Sequence, residues 1–532
     1  MIKIFKLIFT LHLCIGFASF GQNKASAQQQ EFVSFSTPKT LYFTGEKIWI
    51  EAEVNLSQGP SPSKILYAEL IDAGSRSMAY TMIPLENGKA LNYLIAPDQL
   101  PSAHYLLRVY TRMSAYLDQS TGIAQQLITV INPLIPPQNS PGISPVLPDW
   151  TGQNLTQVRS REQLQALLKN APNTTKISGG VVLANPFLPG EQESLNSSIY
   201  SELKPKAILP ELFGHILEVK VPDPDPSLTY FASVHGKQSA LYTAHPDESG
   251  RMYFDIGGLT HWDKVILQLE DGREMPGMEI VAPVIETKFS PDFKIPDLKL
   301  SENDLQFLNF WLKASRVETF YTERYQTDSV EIVTGFVADH VFDLDDYTRF
   351  DQVETVVREY VPSAFVRTRD RKKVFRLLNQ ANNSVFDTNP LILVDAMPVF
   401  DSDLLSEFNP KQIKRLEVLN REFYLNDRIY SGVLSFSSYD NNFGLFPLAP
   451  NARFFDYLGI RPMVSLDRIQ FGLRISDSRL PDWRSVLSWD ENQPLDAPIV
   501  LPNVEGVFVF WEKTIDSSGK ISLHKKYFQL AN

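Results

Sequence analysis

Apolar and polar residues alternate from Lys47 to Val54, and this period of two is the feature that most constrains the fold of the N-terminal region. In an extended strand, alternation places all apolar side chains on one face, as expected for a half-buried β-strand. Similar strands are predicted at residues 65–71 and 105–111, with turn-forming pairs such as Asn87-Gly88 between them. Several short strands in a region of this length predict a β-sandwich over residues 28–131.

The same region resembles a known family. Residues 42–50 match the pattern "Y-x-x-G-E-x-[VI]-W-[FI]" that opens macroglobulin-type MG2 domains in cell-envelope proteins of the Bacteroidetes group. Residues 66–71 and 100–111 are similar to later strands of that domain, although Ala103 stands where the family usually has glycine. The resemblance implies an MG2-like β-sandwich.

The N-terminus has the pattern of a secretory signal peptide. Lys3 and Lys6 precede an apolar run from Leu7 to Phe20, which is too short to span a bilayer. We predict a signal peptide over residues 1–27, cleaved after Gly21 or after Ala27, and therefore an exported protein. Neither this run nor any later one predicts a transmembrane segment.

The single cysteine, Cys14, lies inside that leader. Leu11-His12-Leu13 before it places a large residue where lipoprotein processing needs a small one, so acylation of Cys14 is disfavoured. Cleavage of the leader leaves no thiol, which excludes disulfides, a cysteine nucleophile and thiolate metal sites. The formal charge of −12 also argues against a nucleic-acid partner, because phosphate binding requires a basic face.

Composition and periodicity divide the rest of the chain. Six prolines mark a stiff linker at residues 132–150. A second β-sandwich with a short leading helix is predicted at 151–285, and a helical connector at 286–345, where an apolar stripe includes Leu308 and Trp311. Residues 346–445 contain both helical and strand patterns, and 446–532 resemble an Ig-type β module.

Residues 389–399, 413–419 and 432–436 are similar to strand patterns of the plug domain of TonB-dependent receptors, and this second resemblance implies a plug-like domain over residues 346–445. An apolar run at 391–394 predicts a strand buried on both faces, followed by a tight turn. Two features depart from the family: Ala396 replaces the usual glycine, and residues 424–427 replace a "Y-G" pair. The signature residues are Leu393, Val394, Asp395, Met397, Pro398, Glu417, Val418 and Gly432.

In such receptors the plug sits inside an outer-membrane barrel. At about ten residues per strand, residues 446–532 are too few to form a large barrel, so we expect none in this chain. The two resemblances together predict a mainly β, multidomain fold. It would contain two or three Ig/macroglobulin-like β-sandwiches and one α/β plug-like domain, as in barrel-less Bacteroidetes envelope proteins.

The sequence predicts no catalytic, cofactor-binding or metal-binding residues. No H-E-x-x-H, G-x-S-x-G, P-loop or G-x-G-x-x-G motif is present. Pro189-Gly190-Glu191-Gln192 resembles a macroglobulin thioester motif but lacks the cysteine, and residues 343–354 imitate a calcium loop without its glycine. Triads assembled from distant residues remain invisible to this reasoning. We expect a protein that is not an enzyme.

One basic cluster stands out in an acidic chain. We interpret it as a hairpin whose charges keep a sheet edge from pairing with other chains. The alternative is a contact with anionic lipid or with an acidic partner. The cluster contains Arg367, Arg369, Arg371, Lys372, Lys373 and Arg376.

These observations predict a non-catalytic scaffold or adaptor that docks on an outer-membrane protein complex. An alternative from another class is an accessory of an outer-membrane transporter in TonB-dependent uptake. The expected partner is an outer-membrane barrel or envelope-complex protein, and no cofactor is expected. The sequence places the protein in the periplasm, at the outer membrane or at the cell surface without deciding among these.

Overall fold

The structure is a computed structural model that describes residues 30–137, 150, 154–168, 175–188, 195–204, 209–322, 325–327, 336–466, 481–491, 499–515 and 521–531. The predicted signal peptide and the thioester-like residues 189–192 lie outside this part. The described residues are mainly β and are divided among several sheets, which confirms the predicted fold class.

The N-terminal unit is a β-sandwich of two sheets. One sheet has the order β1-β3-β4, with β7 also pairing with β3, and the other has the order β2-β9-β8-β5-β6. Its elements are β1 (Phe32–Ser36), β2 (Leu41–Phe43), β3 (Lys47–Leu56), β4 (Gly59–Pro60), β5 (Ile65–Ile71), β6 (Ser77–Pro84), β7 (Lys89–Ile95), β8 (Ala103–Tyr110), α1 (Ser114–Leu117), α2 (Gln119–Gly122) and β9 (Ala124–Ile131).

Strand β3 is buried more completely than its alternation predicts. Ile48 and Ile50 lie in the core of the sandwich as expected. Trp49, on the opposite face, is only 4% exposed and packs with Val182 and Trp489 of another unit. The face predicted to meet solvent is therefore covered by a second sheet, which sequence periodicity alone cannot show.

The next part of the chain contributes to two different units. Its elements are β10 (Thr156–Val158), α3 (Arg161–Leu168), β11 (Thr175–Leu183), β12 (Tyr200–Leu203), β13 (His215–Lys220), β14 (Tyr230–Gly236), β15 (Ala240–Ala244), β16 (Arg251–Gly257), β17 (Trp262–Leu269), β18 (Glu279–Ile280), β19 (Thr287–Phe289), α4 (Glu302–Thr322) and β20 (Tyr325–Thr327).

The C-terminal half includes the α/β domain and the last strands. Its elements are β21 (His340–Asp343), α5 (Val353–Tyr360), β22 (Ala364–Arg369), β23 (Lys372–Asn379), β24 (Ser384–Val385), β25 (Leu391–Val394), β26 (Met397–Pro398), α6 (Ser402–Glu407), β27 (Ile413–Leu419), β28 (Phe423–Leu425), β29 (Arg428–Tyr430), β30 (Val433–Ser438), β31 (Arg453–Asp456), β32 (Val464–Leu466), β33 (Val486–Glu491), β34 (Gly506–Ile515) and β35 (Ile521–Leu530).

The second sandwich is formed by the sheets β16-β13-β18 and β15-β14-β17-β31. Strand β31 enters this sandwich from beyond the α/β domain. The core of the sandwich is continuous with side chains of the N-terminal unit, including Tyr67 and Met82. The two units therefore share one apolar interior at their junction.

A third β unit differs from the predicted division of the chain. Its sheet has the order β10-β35-β34-β11-β33, so strands from both sides of the second sandwich pair with each other. Residues 154–183 therefore do not belong to the second sandwich, and the strands after residue 485 do not form a separate Ig-type module. Local patterns predict strands but not long-range partners, and the boundaries at 151 and 446 fail for that reason.

Helix α4 confirms the predicted helical stripe in residues 301–321. Leu308 and Trp311 pack with Leu183 and Phe508 of the third unit. The helix therefore covers a face of that sheet, and the segment predicted as a connector is part of a domain core.

The α/β domain is built on the sheet β21-β27-β30-β25-β26, in which β25 and β30 are parallel. Helices α5 and α6 cover one face, with Val353, Val357 and Leu405 in the core. A three-stranded sheet, β22-β23-β24, and a hairpin of β28 and β29 complete the domain. The domain is inserted in the chain between strands β17 and β31, which pair directly.

Candidate functional site

The turn after β25 holds the first of the signature residues. Asp395 and Ala396 have φ of 47° and 66°, and Val394 pairs with Met397 across them. Two successive residues with positive φ are typical of a type I′ hairpin turn. The sequence prediction of a tight turn at this position is therefore confirmed.

The Asp395 carboxylate is buried, with 4% of the residue exposed. It accepts hydrogen bonds from the backbone N–H of Ser438 at 2.7 Å, from the Ser438 hydroxyl at 2.5 Å and from the N–H of Phe443 at 2.7 Å. Burial raises the pKa of Asp395, and these hydrogen bonds act in the opposite direction. The carboxylate ties the turn to the end of β30 and to the loop that follows.

Glu417 and Gly432 serve the same sheet from neighbouring strands. Glu417 lies opposite Ser435, which is in turn beside Leu393. Burial raises the pKa of Glu417, and its Oε2 has no hydrogen-bond partner among the described residues. Gly432 has φ of 89°, and a Cβ there would lie 2.4 Å from the carbonyl oxygen of Leu419.

The eight signature residues therefore converge on one sheet, but all of them are buried. Val394, Met397 and Val418 pack under the helices, and Leu393 lies on the opposite face. Their role in the fold is structural: they fix strand order and turn shape. Any surface through which this domain binds a partner must be built from other residues.

A buried polar network joins the N-terminal unit to the second sandwich. The Tyr67 hydroxyl lies 2.9 Å from both carboxylate oxygens of Glu211, and Glu211 Oε1 lies 2.9 Å from His215 Nδ1. His215 Nε2 is 2.7 Å from the Tyr457 hydroxyl, and Arg112 Nη1 of the N-terminal unit forms a buried ion pair with Glu211 Oε1 at 3.5 Å. We call these residues the Glu211 network.

The Glu211 network is closed to solvent. His215 and Tyr67 are 0% exposed and Glu211 is 3% exposed. Burial is the main cause that raises the pKa values of Tyr67 and Tyr457 well above their ordinary range, so both phenols remain protonated donors. Although His215 has a carboxylate beside it, as general acid–base catalysis requires, no substrate can reach the ring in this arrangement.

A second buried ion pair strengthens the same junction. Arg108 Nε donates to Glu69 Oε2 at 2.6 Å. The other guanidinium nitrogens of Arg108 donate across the junction to Thr287 Oγ1 at 2.7 Å and to the carbonyl of Ile285 at 2.6 Å. The Tyr110 hydroxyl also donates to Glu69, at 2.8 Å.

A third network joins the N-terminal unit to the third β unit. The Lys39 ammonium lies 3.2 Å from Glu46 and 3.3 Å from Glu318 of α4. Glu318 also accepts the N–H groups of Ser485 and Val486, each at 3.0 Å. Burial alone lowers the pKa of Lys39, but the two carboxylates more than offset this and raise it.

Sequence reasoning missed these junction residues. Glu69 and Arg108 occupy polar positions within otherwise apolar strands, where a strand pattern predicts contact with water. The available signal was weak: a lone acid inside the apolar run 65–71 and a lone base inside 105–110. Only the docking of the second sandwich shows that both charges are buried.

An open cleft of about 590 Å³ lies where the N-terminal unit, the second sandwich and the α/β domain meet. Its lining combines apolar side chains such as Trp262 and Phe443 with polar and charged ones such as Lys237 and Asp263. Within the described ranges, no group of three or more His, Cys, Asp or Glu side chains is placed to hold a metal ion. The expectations of no metal, no cofactor and no catalysis stay predictions.

Comparisons with known proteins give no family for this chain. No family model matches it, and neither does any curated protein. Among the part of the chain that the structure describes, no helix is both long and apolar enough to cross a membrane.

Solved structures give alignments of low similarity. They include Salmonella alpha-2-macroglobulin reacted with methylamine (10% identity, 94% of this chain and 23% of that chain, TM-score 0.16). Trypsin-activated alpha-2-macroglobulin from Escherichia coli (8%, 95% and 42%, 0.21) and dimeric latent PorU from Porphyromonas gingivalis (9%, 94% and 34%, 0.15) are also similar. The chain spans less than half of each of these proteins, and at these TM-scores no assignment rests on them.

Proposed function

We propose that this protein is a non-catalytic, exported adaptor of the cell envelope, in which three β units form a rigid scaffold that positions the α/β domain for docking on an outer-membrane protein complex. The Glu211 network carries this proposal. Breaking a buried ion pair by removing one partner costs about 3–5 kcal/mol, so units joined through such pairs stay docked. A body fixed in this way suits a scaffold better than a hinge.

The α/β domain is held on this scaffold by its own contacts. The side-chain amide of Asn426 donates to Thr243 Oγ1 at 2.6 Å, and that of Asn441 donates to the carbonyl of Gly236 at 2.6 Å. The Phe231 and Phe400 rings meet edge to face at 5.1 Å. Its outward surfaces are thereby presented in a fixed direction, which supports a docking role.

Photo-crosslinking in cells tests the proposal. A photoreactive phenylalanine analogue replaces Tyr424, which is 62% exposed on the α/β domain, and in a matched variant replaces Phe213, which is 80% exposed on the second sandwich. Mass spectrometry should identify an envelope assembly or secretion component from position 424 and not from position 213. Equal capture from both positions, or no envelope partner from either, would overturn the docking role.

The runner-up function is an accessory of an outer-membrane transporter in TonB-dependent uptake. What favours it is the resemblance of residues 389–436 to receptor plugs together with the buried Asp395 turn. Recovery of a TonB-dependent barrel from position 424 would select this function over the adaptor. Protease shaving of intact cells, followed by immunoblotting, tests the proposed export and shows on which side of the outer membrane the chain lies.

A further inference from the structure

The basic cluster singled out in the sequence forms the tip of a protruding hairpin. Strands β22 and β23 pair with Arg369 opposite Lys372, leaving a two-residue loop of Asp370 and Arg371. The loop residues have φ of 51° and 66°, so the turn is of type I′. The predicted hairpin is confirmed.

The pairing register of β22 and β23 shows on which face of the hairpin each basic residue lies. Residues paired across an antiparallel ladder share a face, and the face with Val366, Phe375 and Leu377 packs on the domain core. Lys373 lies on that inner face and pairs with Glu354 at 2.6 Å. The opposite face and the turn therefore carry the other five cations: Arg367, Arg369, Arg371, Lys372 and Arg376.

Several of these cations lack a counter-ion. Arg369 is 3.7 Å from the exposed Asp370. Within the described ranges, no ion pair involves Arg367, Arg371 or Lys372. Arg371 also has a left-handed backbone conformation, which glycine or asparagine would adopt with less strain. For arginine this conformation costs about 1 kcal/mol. Retained strain of this kind is typical of sites with a function.

Strand β22 also offers an open edge. Among the described strands it pairs only with β23. The backbone N–H groups of Lys373 and Phe375 donate to the side chains of Asp403 and Asn389, so these N–H groups point away from β22. Their opposite residues, Thr368 and Val366, are in non-hydrogen-bonded pairs, so their own N–H and C=O groups face outward from the sheet.

We infer that the β22 edge accepts an extended acidic segment of a partner protein by β-augmentation. Backbone groups of Val366 and Thr368 would pair with the added strand, and Arg367 and Arg369 would meet carboxylates on its alternate residues. Two residues along a strand span about 6.6–6.8 Å. Arginines two residues apart on β22 would therefore lie opposite carboxylates two residues apart on the added strand. The charges that repel ordinary strands would then select an acidic one.

An acidic protein segment fits better than an anionic bilayer. Interfacial binding needs large apolar side chains that project from the basic surface. The apolar residues of this face, Phe365 and Val374, are half-buried between the cations rather than protruding. Arginine, which supplies most of the charge, binds carboxylates in a bidentate manner.

Fluorescence anisotropy with a short labelled peptide tests the inference. The probe alternates glutamate and threonine, and a control peptide has the same composition with its glutamates grouped at one end. We expect the full-length protein to bind the alternating peptide more tightly. Arg367→Glu/Arg369→Glu should weaken binding by about tenfold or more, whereas Lys411→Glu/Lys414→Glu, with the same charge change on the same domain, should not.

Thr368→Pro separates edge pairing from simple charge attraction. Proline removes an N–H that points outward, so the β22–β23 ladder keeps its hydrogen bonds. Weaker peptide binding by this variant, with an unchanged circular dichroism spectrum, supports augmentation. Unchanged binding by Thr368→Pro, equal binding of both peptides, binding to phosphatidylglycerol vesicles in place of the peptide, or no binding at all would overturn it.

The inference deepens the proposed docking role and rests on it, but the two fail separately. If an envelope partner is captured from position 424 but the peptide does not bind, the adaptor role stands and the proposed binding of an acidic segment at the β22 edge is wrong. If the peptide binds but no envelope partner is found in cells, the β22 edge is a binding site for acidic segments and the adaptor role is wrong.

Discussion

Arg108 and Glu69 form an ion pair with an Nε–Oε2 distance of 2.6 Å and side-chain exposures of 1% and 0%. The pair lies where the N-terminal sandwich meets the loop at residues 285–287. Since neither charged group is in contact with water, each relies on its partner to offset the free-energy cost of burying a charge.

Arg108→Met should therefore destabilise the protein strongly. It leaves the Glu69 carboxylate buried without its partner, and such changes cost about 3–5 kcal/mol. Urea unfolding followed by tryptophan fluorescence measures the loss. As a matched control, Lys204→Met removes an ion pair that is 62% and 51% exposed and should cost at most about 1 kcal/mol. Equal effects of the two substitutions would contradict the argument.

Ala396→Gly should stabilise the α/β domain. Ala396 has φ of 66° in a type I′ turn, where glycine avoids a Cβ clash of about 1 kcal/mol. Differential scanning calorimetry should show a higher melting temperature. Ala79→Gly, in strand β6 without positive φ, should instead lower stability by about 0.5–1 kcal/mol. A destabilising effect at position 396 would show that the turn is not strained.

Gly432→Ala should have the opposite effect in the same domain. The added Cβ would meet the Leu419 carbonyl oxygen at 2.4 Å in a backbone of φ 89°, so the loss should exceed about 1 kcal/mol. Gly258→Ala is the control because a Cβ there has no neighbour within 4 Å. Thermal unfolding of both variants measures the difference between their stability losses. Equal losses would show that the backbone at position 432 relaxes to accommodate the Cβ.

His104 should make stability depend on pH. Burial lowers its pKa from 6.5 to about 4, and its Nδ1 lies 2.9 Å from Thr129 Oγ1. Between these values the unfolded chain binds more protons than the folded one, so the free energy of unfolding falls as pH falls. The contribution amounts to about 3.5 kcal/mol at most, at about 1.4 kcal/mol per pKa unit.

Urea titrations of the wild type and of His104→Gln between pH 7 and pH 4 isolate this contribution. Taking the difference cancels the buried carboxyl groups of Asp395 and Glu417, whose pKa values are raised. The stability of the wild type relative to the variant should decrease toward pH 4. A difference that stays constant over this range would show that His104 does not titrate between the folded and unfolded states.

Local patterns predicted the elements better than their assembly. The alternation in 47–54 and the stripe containing Leu308 and Trp311 both correspond to observed elements, because they depend on neighbours within a few residues. The tight turn at Asp395 is also predicted, although its burial is not. Long-range pairing was not, because nothing near Leu183 indicates that it lies opposite Phe508.

The candidate interaction surface was predicted in part. The cluster from Arg367 to Arg376 was visible as a basic hairpin, but its division into faces depends on the turn at Asp370 and Arg371. The junction charges escaped prediction altogether. Glu211 and His215 are only four residues apart, yet their partners Tyr67 and Tyr457 come from distant segments.

The pairing of Leu183 with Phe508 also sets an order of events when the chain becomes available for folding from its N-terminus onward. Strand β11 emerges early, yet its neighbours β33 and β34 come after the second sandwich and the α/β domain have been made. The third unit must therefore close last, around insertions that can already be folded. Contacts so distant in sequence slow folding, and until the last strands arrive the apolar end of β11 at residues 181–183 lacks its neighbouring strands and favours aggregation.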